Sequence, residues 1–476
     1  MRTMNRLTWT CAARSRAVLS GLSMCLALAA CGGDGDSATP SGAASTTPPA
    51  ASGPAPAAAT YSVGGTVSGL VTGTQVTLLN KSGDALTVNA NGSFGFSTSM
   101  TSGSSYAVSV GTQPKGQTCV VSNGSGVVAT SSVTSIGVTC SRIGYAYVTN
   151  SSDNTISQFM IGADGALTPM ATARVSTVGS PATVIVHPSG KYAYVANISD
   201  ATVSQFTIGA DGALTSMATA SVGTGISPQS IAVDPSGKYA YVANRGAASV
   251  SQFTIGADGA LTPMPTAIVS TASDPDFVTV HPSGKYVYVA NYLSNTVSQF
   301  TVDADGSIAS LPMTNFSTGP NPYAIIVDPT GKYAYVANSG SNTVSQYTIG
   351  ADGALTPMAM PSVSTGAGSN PYALAVDPTG RYVYAATAVT DTVSQFKIGA
   401  GGALAPMTTA SVGAGRLPYD ITVDLTGKYV YVPNWTSNTV SQFLIDASGA
   451  LTPMATASVT AGNHPTSVTT AYAPTH

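Results

Sequence analysis

Apolar and polar residues alternate along most of this chain in short runs that return in a fixed order. Tyr192 to Asn197 reads Tyr, Ala, Tyr, Val, Ala, Asn, and Thr202 to Ile208 is rich in β-branched and aromatic residues. A weaker run, Ala213 to Met217, follows, and then a short apolar one, Ser230 to Val233. None is long enough for a helix, and the spacing predicts strands. The first two carry Val, Ile, Phe, Tyr or Ala on both faces, as a sheet covered on both sides requires. Between them lie turns of specific chemistry. Asp234-Pro-Ser-Gly-Lys238 offers Pro at the second turn position and Gly where φ turns positive. Asp211-Gly212 is a hairpin dipeptide, repeated at 164–165, 258–259, 305–306 and 352–353.

The whole unit occurs seven times, beginning at Tyr145, Tyr192, Tyr239, Tyr286, Tyr333, Tyr382 and Tyr429. The period is 47 residues, with one step of 49 between Tyr333 and Tyr382. Four antiparallel strands repeated at this period predict an all-β fold, a seven-bladed β-propeller. From the axis outward the strands of a blade are Pro-x-x-Ile-Ala-Val, Tyr-Ala-Tyr-Val, Val-Ser-Gln-Phe and Ala-Leu-Thr-Pro-Met. The chain enters on a second strand at Tyr145 and ends on an innermost one, Thr466 to Ala473. The last strand is therefore expected to complete the first sheet and leave no open blade.

Tyr147-Val-Thr-Asn150 and its Tyr-Val-Ala-Asn variants resemble the YVTN-type repeat. Paired with Asp-Pro-Ser-Gly-Lys, they resemble the lactonase-type seven-bladed propellers over residues 142–476. That resemblance implies enzymes of the 6-phosphogluconolactonase type that open sugar lactones, and a related propeller that cyclises muconate. It also implies chemistry by Glu, His and Arg at the channel mouth.

Residues 1–30 read as a targeting segment: Arg2, Arg6, Arg14 and Arg16 precede an apolar run, Ala17 to Ala30, too short to span a membrane. Leu28-Ala-Ala-Cys31-Gly resembles a bacterial lipobox, which implies lipidation at Cys31, and Gly32 resembles outer-membrane sorting. The expected location is the cell envelope, with the membrane reached through the lipid. Losing the four arginines leaves 13 basic residues against 20 aspartates, with no glutamate anywhere. No basic stripe exists for nucleic acid. Residues 31–60, mostly Gly, Ser, Ala, Thr and Pro, read as a disordered tether. Residues 61–141 hold short alternating runs that predict a small β-sandwich resembling immunoglobulin-like modules. Cys119 and Cys140 lie in it, and in an exported chain two such cysteines are expected to pair. The protein is expected to be a monomer.

Candidate chemistry is sparse. His187 and His281 replace the aspartate of the Asp-Pro-Ser-Gly-Lys turn, and Asp303-Ala-Asp305-Gly306 sits on the ordinary hairpin, so no metal and no cofactor are expected. The two turns hardly vary between units, whereas the loops after the second strand and before the innermost strand vary freely. Both variable segments fall on one face, and such a face often binds. The residues after each strand-opening Pro are expected to ring its channel mouth: Ala182, Gln229, Asp276, Tyr323, Tyr372, Tyr419 and Thr466. Tyr323, Tyr372 and Tyr419 form an aromatic arc, with Trp435 in the next loop and Asp274 among the polar groups, suited to a sugar ring or a peptide side chain. The first reading is non-catalytic binding or scaffolding, with a glycan, a peptide or an envelope protein as ligand. The alternative is a lactone hydrolase with Asp276 or Asp420 as base, His464 as acid, and Arg416 or Arg245 steadying the oxyanion.

Overall fold

The computed structural model describes residues 58–81 and 83–474. The targeting segment, Cys31 and the tether up to residue 57 lie outside the described residues. No helix among those described is long and apolar enough to cross a membrane.

Seven four-stranded antiparallel sheets make up residues 144–472. Blade 2 runs Pro181–Val186, Tyr192–Asn197, Thr202–Ile208 and Leu214–Gly223 from the axis outward. Blades 3 to 6 repeat this order, and blade 7 starts on a shorter innermost strand, Thr422–Val423. Blade 1 takes three strands from Gly144–Asn150, Thr155–Ile161 and Leu167–Ser176, and its innermost strand from the other end of the chain, Pro465–Tyr472. Gly144 lies opposite Tyr472 and Asn150 opposite Pro465, so the ring closes by strand pairing across the whole sequence.

The alternating pattern is explained by what lies between blades. Tyr147, Tyr194, Tyr241, Tyr288, Tyr335, Tyr384 and Tyr431 are fully buried, as are the phenylalanines of most third strands. Each of these tyrosine hydroxyls donates to the carbonyl of a hairpin glycine in the next blade: Tyr194 to Gly259, Tyr241 to Gly306, and, across the seam, Tyr431 to Gly165 at 2.7 Å. The hairpin glycine is required twice over. Gly306 has φ +87, and a Cβ there would run into the Tyr239 ring.

The edge strand corrects the sequence reading. Ala213 to Met217 was expected to be a short, weak strand, whereas Leu214–Gly223 has ten residues. Its register against the third strand breaks between Ser204 and Phe206, where residues 217–220 arch away opposite Gln205 alone. Gln205 holds that arch by donating to the Thr219 carbonyl, and its other amide atom accepts the Leu261 N–H of the next blade. A buried polar side chain thus bridges two blades with both ends satisfied. Gln442 does the same across the seam, accepting the Leu167 N–H at 2.6 Å.

The turns follow their residues. Asp234 accepts the N–H groups of Ser236, Lys238 and Tyr239. His187 in the equivalent place accepts the Ser189 N–H through Nδ1 and donates through Nε2 to the Gly237 carbonyl of the next blade.

Residues 60–142 form two four-stranded sheets and one two-stranded pair, Thr60–Tyr61 with Met100–Thr101, around a core that includes Val63, Leu78, Phe96, Ile136 and Val138. Cys119 and Cys140 are cross-strand neighbours joined by a disulfide. Asp84–Val88 and Gln117–Ser122 are among the strands of these sheets. The likeness of this unit to immunoglobulin-like modules stays an expectation. Its last strand, Val133–Arg142, passes into Gly144 on the face of the propeller that carries the repeated turns.

Removing residues 465–476 strips blade 1 of its innermost strand, and thermal unfolding is expected to lose cooperativity or to shift down by more than 10 °C. Gln442→Ala, which leaves the Leu167 N–H without its partner, is expected to cost about 1–3 kcal/mol in urea unfolding. An unchanged melt for both would exclude closure as the stabilising device.

Candidate functional site

Six innermost strands open with a proline, in blade 7 Pro418 makes an isolated bridge to Asn434 ahead of the strand, and the residue before each proline is left-handed. Ser180, Ser227, Asp274, Asn321, Asn370, Leu417 and His464 all have φ between +48 and +64. At five junctions an Asn or Asp from the preceding blade accepts this residue's N–H at 2.7–2.9 Å: Asn154, Asn295, Asn342, Asp391 and Asn438. Ala201 and Ala248 stand at the other two positions. The left-handed residue therefore recurs at all seven junctions and its side-chain cap at five.

Ala182, Gln229, Asp276, Tyr323, Tyr372, Tyr419 and Thr466 all line one depression of about 50 Å³, together with Thr183, Asp420 and Ser467. The wall has two chemical halves. In blades 5 to 7, Tyr323 stacks on Tyr372 with ring centres 4.3 Å apart, and Tyr419 meets both edge-on. The hydroxyls of Tyr323 and Tyr419 are 3.1 Å apart. Burial raises both phenols above the usual range, so both stay protonated. Blades 1 to 3 contribute hydroxyls and an amide from Thr466, Ser467, Thr183 and Gln229.

Asp276 sits between the halves. It is 2% exposed, and neither carboxylate oxygen has a hydrogen-bond partner. Arg245 Nε lies 3.4 Å from Oδ1, an ion pair without hydrogen-bond alignment. Burial pushes the carboxyl up to about 7, with Arg245 pulling down and Asp274 adding to the rise. Arg245 itself is gripped by Asp274 through Nε at 3.0 Å and Nη2 at 2.9 Å, and its guanidinium lies over the Tyr292 ring. This bidentate bond holds the guanidinium well above its ordinary range.

The local cause is a break in the repeat. Blade 3 carries Arg-Gly-Ala-Ala in its loop, which forms a short 3-10 turn, Arg245–Ala247, ending on left-handed Ala248. Asp274 keeps the left-handed backbone of its equivalents, and its carboxylate takes the Arg245 guanidinium that this loop supplies.

Asp420 belongs to the same depression but is occupied. Its oxygens accept the Ile421 N–H at 2.8 Å and the Val468 N–H of blade 1 at 3.0 Å. Ser230 and Ser467 make the equivalent link to Val278 and Val184. Burial raises Asp420 to about 6 against these bonds. Its self-bond also explains the short innermost strand of blade 7.

The structure does not bring the remaining candidates to Asp276. Trp435 and His464 stack on each other at 3.8 Å, and His464 Nδ1 bonds Ser152 at 2.6 Å, away from the lining residues. Arg416 is exposed and does not line the depression. Tyr292, which packs edge-on against Tyr323 and under Arg245, was not singled out from the sequence. Its signal was an aromatic residue in a loop slot that holds Ser, Ile or Ala in several other blades.

The family model "Lactonase, 7-bladed beta-propeller" matches residues 94–357 and 311–470. Among curated proteins none matches the chain. Solved structures do. A Bacteroides fragilis protein described as a candidate 6-phosphogluconolactonase is 24% identical, with a TM-score of 0.61 over 69% of this chain and 97% of its own. A similarly described protein from Bacteroides uniformis is 18% identical, with a TM-score of 0.62 over 69% and 99%. The periplasmic gluconolactonase of Pseudomonas aeruginosa is 20% identical, with a TM-score of 0.61 over 70% and 99%. At these identities the solved structures speak for the fold. With the family match covering more than half of its length, this chain belongs to the lactonase family of seven-bladed β-propellers.

Proposed function

We propose that the protein is a lactone hydrolase with Asp276 as its general base. The observation that carries this is a buried carboxylate with two unpaired oxygens at the channel mouth of a lactonase-family propeller. Such a group costs stability, and groups of this kind are kept where chemistry uses them. Ionised Asp276 takes a proton from water as its oxygen attacks the lactone carbonyl. The oxyanion gains from Arg245, whose Nη1 makes no hydrogen bond among the described residues, and from a phenol of Tyr323 or Tyr419. Collapse breaks the ring C–O bond, and Asp276 returns the proton to the leaving oxygen, giving a hydroxy acid. The named activities of the Bacteroides and Pseudomonas proteins fit the same reaction class.

This reading moves the weight away from binding alone, and it moves the roles as well. Asp420, tied to two N–H groups, is a positioning residue. His464 and Arg416 take no part. The binding-only reading draws on a different observation: Tyr323 and Tyr419 bond each other and leave little room. An envelope location with lipid at Cys31 is part of the proposal and rests on the targeting segment alone. Its topology is favourable, since the mouth opens on the face opposite the one where residues 60–142 join the propeller.

Turnover of glucono-δ-lactone above the spontaneous rate should rise with pH through about 7, as Asp276 ionises. Asp276→Asn should lower kcat/KM by at least 100-fold and remove that rise. Asp420→Asn should leave the pH midpoint in place. An Asp276→Asn enzyme with wild-type turnover would return the site to binding.

Stability should respond in the opposite sense. Asp276 has a folded value raised to about 7, so between about pH 4 and 7 the native state holds a proton that the unfolded chain has released. Stability contributed by this group is therefore lost as pH rises through that window. Asp276→Asn should flatten the slope and stabilise the protein by about 2–4 kcal/mol at pH 8. A destabilised variant at that pH would refute the unpaired state of this carboxylate.

A further inference from the structure

We infer that the site takes an uncharged, unphosphorylated sugar lactone and discriminates against its 6-phosphate. This rests on the lactone-opening reading above and adds the substrate's charge to it.

The lining of the depression contains no lysine or arginine, and it contains two carboxylates, Asp276 and Asp420. Arg245 stands beside Asp276 outside this lining, and its Nε–Nη2 edge is occupied. Asp274 takes Nε and Nη2 in a fork, and Asp276 stands 3.4 Å from Nε. Together with Asp420, this cluster carries more negative than positive charge once both lining carboxylates ionise. A phosphate dianion on a bound sugar would enter that field with no arginine fork free to receive it, whereas phosphate recognition relies on such bidentate cations.

What the wall does offer suits a neutral polyol. Tyr372 and Tyr419 line one side, and the other is lined by Gln229 and by Thr183, Thr466 and Ser467, whose hydroxyls also bond backbone groups. A sugar ring has an apolar C–H face and a rim of hydroxyls, and it matches both halves. Of the other arginines at the loops of this face, Arg174 pairs with Asp153, and Arg416 is exposed and stands outside the lining.

The test is a titration of the purified full-length protein at pH 8, where both lining carboxylates are charged. Two inert probes are compared: gluconolactam, the neutral ring amide, and gluconolactam 6-phosphate. The neutral lactam is expected to bind at least tenfold tighter. Gln229→Lys, which adds a cation beside Asp276, is expected to narrow that ratio at least fivefold. Equal or tighter binding of the phosphate, including binding that Arg416→Ala abolishes, overturns the inference. So does the absence of binding by either lactam, or a ratio that Gln229→Lys leaves unmoved. Hydrolysis is measured separately on the two corresponding lactones. Failure to open either one refutes the catalytic role of Asp276, while the lactam ratio still decides the charge preference.

Discussion

The structure depends on bonds that run between blades. Each blade is a four-stranded sheet with apolar residues on both faces, and none can cover those faces alone. Packing of Tyr, Phe and Val between neighbours removes them from water, but packing by itself is not directional. Direction comes from two buried polar links per junction: a tyrosine hydroxyl on a hairpin glycine carbonyl, and a glutamine amide on an edge-strand N–H. Both recur at the seam as Tyr431 to Gly165 and Gln442 to Leu167. A buried donor or acceptor left over is costly, so the links fix the angle between blades and, with it, a ring that closes.

That constraint explains where sequence could vary. The turn face is held by Asp or His in each turn and by a hairpin glycine wedged against a neighbour's ring. The opposite face needs only its left-handed residue before proline and, at five of seven junctions, an Asn or Asp to cap it. Side chains after the proline vary from blade to blade, from Ala182 to Tyr323. The site is built from those positions. At blade 3 the loop carries Arg245, which the Asp274 carboxylate holds beside Asp276.

The blade count, the closure by the last strand and the ring of residues after proline were legible because each follows from counting along a repeat. The edge strand was misjudged because its ten residues pair only after an arch at Gln205, and an arch has no signature in the alternation of side chains. Arg416 and His464 were reasonable candidates by loop and chemistry, yet one stays exposed and the other is held by Trp435 and Ser152. Asp276 directly follows Pro275 while Asp420 lies two residues after Pro418, an offset legible in the sequence, but what each carboxylate bonds was not.

By itself, the order of residues determined a closed seven-bladed wheel, which face would vary and which seven side chains would meet at its axis. Periodicity suffices for that, because every unit must solve the same packing problem in the same way. Only the tertiary structure decided which carboxylate is free. Asp420 lies one residue further from its proline than Asp276, within reach of the next blade's N–H, and is consumed by it. Asp276 faces the axis, where no backbone donor comes near, and so keeps its two oxygens unpaired beside a guanidinium already claimed by Asp274.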